Sequence, residues 1–196
     1  TGGILARYAP GEDIRVIAAN LGAISGVAQI ADGSFLVCDT GGSCLLKVSP
    51  AGVVTTIARG LQGPLGIVSA ADGSCFVSEA DAGRVSHIED GEVTAVLTGL
   101  VNPHGLALRG GYLFVLDRGA KSLLRWKLQG GLPEIIASEL PVGAEPGLLP
   151  KVLPGIADMM PGPLLPFADL CVTADGRILL SADGAGAIFA LSQNSI

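Results

Sequence analysis

Four segments of the sequence follow one template: ISGVAQIADGSFLVCDT (24–40), PLGIVSAADGSCFVSEA (64–80), PHGLALRGGYLFVLDR (103–118) and FADLCVTADGRILLSAD (167–183). Gly26, Gly66 and Gly105 are 40 and 39 residues apart, and Asp169 takes the same place in the fourth copy. A period of this length means that each unit is one supersecondary element, able to bury its apolar faces only against its neighbours. Asp32-Gly33, Asp72-Gly73, Gly110-Gly111 and Asp175-Gly176 lie where a tight hairpin needs positive φ. The remainder of each unit also repeats, as LLKVSPAGVVTTIARGL (45–61), VSHIEDGEVTAVLTGL (85–100) and LLRWKLQGGLPEIIASEL (123–140), each giving two β-rich runs about a turn. Four short strands per unit with regular turn signals predict the blades of an all-β propeller. A helical repeat is excluded by the 29 glycines, most of them at these turns.

The segment ILARYAPGEDIRVIAANL (4–21) matches the second half of a unit. The expected organisation is therefore a single propeller domain over 1–196. It comprises a half blade at 1–22, blades at 23–63, 64–102 and 103–140, a Pro-rich apolar insertion at 141–166, and a last, incomplete blade at 167–196. A six-bladed ring takes roughly 240 to 270 residues. The chain is thus expected to be partial, or a closed ring of four to five blades, derived from a six-bladed parent.

The pattern P-x-G-hydrophobic-Ala, Asp-Gly, Leu-Val-x-Asp-Thr-Gly resembles the NHL-repeat β-propellers and, more distantly, the SMP-30/gluconolactonase superfamily. The residue before each template glycine begins the innermost strand, beside the central channel; here these are Ser25, Leu65, His104 and Ala168. In the lactonase-like family the corresponding positions supply Glu, Asn and Asp ligands to a divalent cation, whereas Leu65 and Ala168 have no ligating atom. The PHG of residues 103–105 also resembles the histidine motif of zinc-dependent propeller lyases. Zinc takes about three protein ligands. The only other histidine, His87, aligns with Arg7, Lys47 and Arg125 at a position expected to be exposed. His104 is accordingly expected to be a hydrogen-bonded rim residue, with no residue assigned to catalysis or to a cofactor. The alternative is a lactonase- or lyase-type enzyme with a divalent cation such as Ca or Zn held near His104 and Asp169.

The acidic strand ends Asp39, Glu79 and Asp117 recur with the repeat, which argues for capping of turn amides in every blade rather than for chemistry needed once. The NHL-type downstream arginine is kept only as Arg84; Cys44, Ser122 and Ala187 replace it elsewhere. Cys38, Cys44, Cys75 and Cys171 form no CxxC pair and are expected to be small buried strand residues. Pairing of residue 39 with 44 would point Cys38 and Cys44 to opposite faces, so no disulfide is expected there. No GxSxG elbow and no phosphate-cradling loop occur.

A net charge of −6 leaves no cationic excess for a phosphate backbone, and nucleic acid is excluded as a first partner. The cluster Arg118, Lys121, Arg125 and Lys127, around Trp126, reads as a solvated blade edge. No apolar run approaches the length of a membrane span, although docking on a membrane complex stays open. No charged-then-apolar leader follows Thr1, so a targeting segment is expected to be absent or removed and no compartment is read.

Between the third and fourth templates the spacing grows from 40 to 64 residues, and residues 141–167 hold seven of the twelve prolines. Proline at this density prevents helix and ladder pairing. The segment is nonetheless rich in aliphatic side chains and so needs a surface to bury them. A lid over the chain's own propeller face is one such burial. The other is a docking arm for a protein partner, with Leu148, Leu149, Val152, Leu153, Met159, Met160, Leu164 and Leu165 as its contacts. With only 15% charged residues, this favours an interaction propeller in a larger assembly.

Overall fold

A computed structural model of the chain describes residues 2–143 and 168–191. The candidate partner contacts from Leu148 to Leu165 lie outside these residues. Seventeen strands form antiparallel sheets and no helix occurs among the described residues, so no helix is long and apolar enough to cross a membrane. A two-stranded sheet comes first, β1 (Leu5–Arg7) and β2 (Arg15–Ala18). Three four-stranded sheets follow in chain order. They are β3 (Ile24–Gln29), β4 (Phe35–Asp39), β5 (Cys44–Val48) and β6 (Val54–Arg59); β7 (Pro64–Ser69), β8 (Cys75–Glu79), β9 (Arg84–Glu89) and β10 (Glu92–Leu97); and β11 (Pro103–Arg109), β12 (Tyr112–Asp117), β13 (Ser122–Lys127) and β14 (Glu134–Ala137). A three-stranded sheet closes the series, β15 (Leu170–Val172), β16 (Ile178–Ala182) and β17 (Ala187–Leu191). Each sheet is an up-and-down meander and the sheets stand as propeller blades, as the repeat predicts.

The core lies between blades rather than within them. Leu36, Cys38, Leu45, Cys75 and Val77 pack the first complete sheet against the second; Phe76, Leu106, Leu113 and Trp126 pack the second against the third; Phe114, Leu116, Leu170 and Ile178 pack the third against the last. Because both faces of a blade are covered, the second strands read as unbroken apolar runs such as Leu113–Leu116, all four residues buried. Each such side chain contributes about 1.5–3 kcal/mol of apolar burial.

The template turns are of two kinds. In 30–34, 70–74 and 173–177 the amide of Gly33, Gly73 or Gly176 donates three residues back, to the carbonyl of Ile30, Ala70 or Thr173, and the glycine φ is 81°, 93° and 82°. This is a type I turn closed by a left-handed residue. In the third unit Arg109 pairs with Tyr112 across a two-residue turn, and Gly110 and Gly111 both have positive φ. Nothing lies within 4 Å of the place a Cβ would occupy at Gly73. Gly73→Val therefore isolates the backbone effect, and a loss of about 1 kcal/mol or more is expected in urea unfolding.

Two sequence expectations are corrected. Cys38, Cys44 and Cys75 are buried and free, but Cys171 is exposed, its side chain pointing away from the interface that buries Leu170. His87 is not an exposed polar residue: it is half-buried, its ring 4.8 Å from that of its cross-strand partner Phe76. Asp39 does pair with Cys44, which places Cys38 opposite Leu45 as the hairpin argument required.

Candidate functional site at the centre of the blades

The inner strands of the three four-stranded sheets carry the same irregularity. Register shifts separate Ile24 from Val27, Pro64 from Ile67 and Pro103 from Leu106. A β-bulge thus sits on Ser25-Gly26, Leu65-Gly66 and His104-Gly105. The bulge explains the template glycine, whose φ is not positive at any of these positions. A Cβ on Gly26 would run into the Leu65 carbonyl, one on Gly66 into the His104 carbonyl, and one on Gly105 into the backbone of Asp169 and Leu170. The glycine is needed because consecutive inner strands approach backbone to backbone.

The amides freed by the bulge find side chains. Ser78 Oγ accepts from the Gly66 amide at 2.8 Å and donates to the His104 carbonyl at 2.6 Å. Ser181, at the same template position, accepts from the Asp169 amide at 2.8 Å. Ser25 Oγ lies 3.0 Å from the Pro64 carbonyl and 3.1 Å from that of Leu65, and accepts from the Thr40 hydroxyl. Buried polar groups are satisfied across blade boundaries in this way, which ties neighbouring sheets together.

The inner strands enclose a cavity of about 260 Å³ lined by residues 25–27, 65–67, 104–106 and 168–170. Ser25, Leu65, His104, Ala168 and Asp169 all border it. His104 is buried. Burial pushes its imidazole down to about 4, the Arg118 guanidinium adds to the fall, and Asp183, Asp117 and a backbone hydrogen bond with Ala168 oppose it. His104 is therefore neutral at pH 7. Desolvation beside the cavity raises the Asp169 carboxyl above its ordinary value, opposed by the hydrogen bond it accepts from the Leu170 amide.

The low His104 pKa has a thermodynamic consequence. The unfolded chain binds more protons than the folded one between pH 6.5 and about 4, so stability falls as pH falls through that window. Between pH 7 and 5 the loss should be about 2 kcal/mol, and His104→Gln should remove it while keeping hydrogen-bonding capacity. Urea unfolding at the two pH values measures the difference; an equal slope in both proteins would contradict the buried neutral imidazole.

The recurring acids cap turns. Asp39 accepts from the Gly42 amide, and Asp117 accepts from the amides of Val101, Asn102 and Ala120. Glu79, with no exposed side-chain surface, accepts from the Gln62 amide, from Ser86 and from Arg84 through two nitrogens at 2.8 and 2.9 Å. In the fourth repeat Ala182 takes the acid's place. Asp183 then accepts from Arg118, 2.8 Å away in the preceding blade, and from the Gly143 amide at 2.7 Å. Arg118 and Trp126 are thus not on a solvated edge: the first bridges two blades and the second is buried. That bridge joins residues 65 apart in sequence, and no local pattern signals it.

These residues do not fit a metal centre. Among the described residues no three His, Cys, Asp or Glu side chains converge. Leu65 and Ala168 occupy two of the four rim positions, and among the described residues no third His, Cys, Asp or Glu joins His104 and Asp169 at the cavity.

No family model and no curated protein matches the sequence. Solved structures do. Virginiamycin B lyase from Staphylococcus aureus, a catalytically inactive variant with quinupristin, superposes with a TM-score of 0.69 at 13% identity, covering 97% of this chain and 60% of the lyase. The calcium-binding protein regucalcin from Agrobacterium tumefaciens gives 0.67 at 17% identity, covering 94% and 61%. A chain of a nidogen/laminin complex gives 0.65 at 20% identity, covering 91% and 68%. The chain spans about 60% of the length of the lyase and of regucalcin. Its fold is that of the β-propellers to which the lactonase-like and lyase proteins belong, as the repeat resemblance implied.

Proposed function

We propose that this propeller is a non-catalytic protein-interaction module, a scaffold or accessory subunit of a larger assembly. The observation that carries the reading is the state of the channel rim. Leu65 and Ala168 offer no ligating or proton-transferring atom, and Ser25 is engaged with Thr40 and with backbone carbonyls of the next blade. The recurring acids are engaged with turn amides and guanidinium groups. A propeller of the same fold within a nidogen/laminin complex supports the class of function. The apolar, proline-rich sequence of 144–167 supplies contacts of the right chemistry for a partner, Leu148, Leu149, Val152, Leu153, Met159, Met160, Leu164 and Leu165.

The second reading is a lactonase- or lyase-type enzyme, favoured by His104 and Asp169 bordering one cavity. Replacing 144–167 by a short Gly/Ser turn separates the readings. Blades contact mainly their neighbours, so the variant should keep a cooperative melt and lose co-purification of the partner from its native extract. Retained co-purification by the well-folded variant would rule out the segment as the docking arm.

A further inference from the structure

The first sheet sets two like charges opposite one another, as the second complete sheet does with Glu89 and Glu92, but here both are cations. Arg7, Lys47 and Arg125 occupy one repeat position. Arg125 faces Glu134 as its register partner and is ion-paired with it at 2.6 Å, and Lys47 is paired with Asp32 at 2.8 Å. Arg7 instead faces Arg15. Like charges directly opposite on a sheet are destabilising. Among the described residues neither guanidinium has an ion pair or hydrogen bond, and Glu12 and Asp13 in the connecting loop do not supply one.

Both arginines open onto a groove of about 740 Å³ between the first sheet and the 29–35 hairpin, within the size range of small-molecule sites. Its other walls include Tyr8, Ile17, Phe35 and Gln29, and Tyr8 is 68% exposed. Two forked guanidinium groups a strand spacing apart can converge on one multi-oxygen anion, each through charge-assisted hydrogen bonds. The rings of Tyr8 and Phe35 give an apolar surface beside that charge.

From this juxtaposition we infer that the groove binds a small phosphate monoester with an aromatic body, the phosphate held between Arg7 and Arg15 and the ring against Tyr8 and Phe35. The inference is independent of the interaction role, since no residue that lines the central cavity borders the groove.

Calorimetric titration of the purified chain with phenyl phosphate, inorganic phosphate and poly-glutamate tests it. Phenyl phosphate should bind at least about tenfold more tightly than inorganic phosphate, and Tyr8→Ala should remove that advantage. Arg15→Glu recreates the charge pairing of Arg125 with Glu134, so it should melt no lower than the parent while losing at least about tenfold in phenyl phosphate affinity. Arg7→Met should lose as much and serves if Arg15→Glu does not fold. No heat with phenyl phosphate, equal affinity in the arginine variants, or an unchanged preference in Tyr8→Ala would overturn the assignment. Tighter binding of poly-glutamate would also overturn it, giving the groove to an acidic polypeptide.

Discussion

Gly66→Ala should unfold about 3 kcal/mol more easily than the parent, although alanine is the smallest possible change and the residue has ordinary φ. The added Cβ would be directed at the His104 carbonyl oxygen, a backbone atom with no side-chain freedom to move aside, with Ser78 Oγ also in tight contact at 3.1 Å. Relief requires the second and third inner strands to separate, which stretches the Ser78 hydrogen bonds to the Gly66 amide and the His104 carbonyl together. Gly73→Ala is the matched control, for its Cβ meets nothing, so only the positive φ is penalised, at about 1 kcal/mol. Urea midpoints of the two variants give the comparison. Equal losses would mean that the template glycine serves chain flexibility rather than strand proximity.

The second large effect is expected at the Arg84–Glu79 pair. Burial alone would raise the Glu79 pKa, but hydrogen bonds from Arg84, Ser86 and the Gln62 amide outweigh it and hold the carboxyl below its usual value. Arg84→Met leaves that carboxylate buried with two neutral donors, and a loss of about 3 kcal/mol is expected at pH 7. With a folded pKa below the unfolded one, the contribution of Glu79 is present above the ordinary glutamate range and is lost as pH falls through the folded value. The gap between parent and Arg84→Met should therefore narrow toward pH 3. The double variant Glu79→Leu/Arg84→Met should recover part of the loss, since no charge stays buried. A single-variant loss that does not change with pH would locate the effect in packing of the arginine stem instead.

The parts of this molecule that sequence makes legible are those set by local geometry. Asp-Gly pairs mark hairpins because only a few residues tolerate positive φ, and Gly33, Gly73 and Gly176 have it. Apolar runs such as Leu113–Leu116 mark strands covered on both faces. The acids at strand ends were readable as caps from their recurrence, because a cap is required once per blade. The bulge glycines are visible as a repeat, but their cause is not, since it lies in the backbone of the next blade's inner strand. The cover over His87 and the exposure of Cys171 are illegible for a related reason: one is covered by a neighbouring strand's Phe76 and the other left open, and neither fact is written in nearby residues. The channel site was legible as a set of positions, Ser25, Leu65, His104 and Ala168. The serine contacts that hold the rim came from Ser78 and Ser181, which align at one template position and were the available signal.

The central claim is that the channel rim is structural. It is tested most directly by the divalent metal content of the purified chain, measured by atomic emission after equilibration with Ca and Zn and removal of free ions. The account predicts well under one equivalent of either metal, with no difference between the parent and His104→Gln. One equivalent of Ca or Zn in the parent, lost in His104→Gln, would contradict it and establish the metal-dependent enzyme reading.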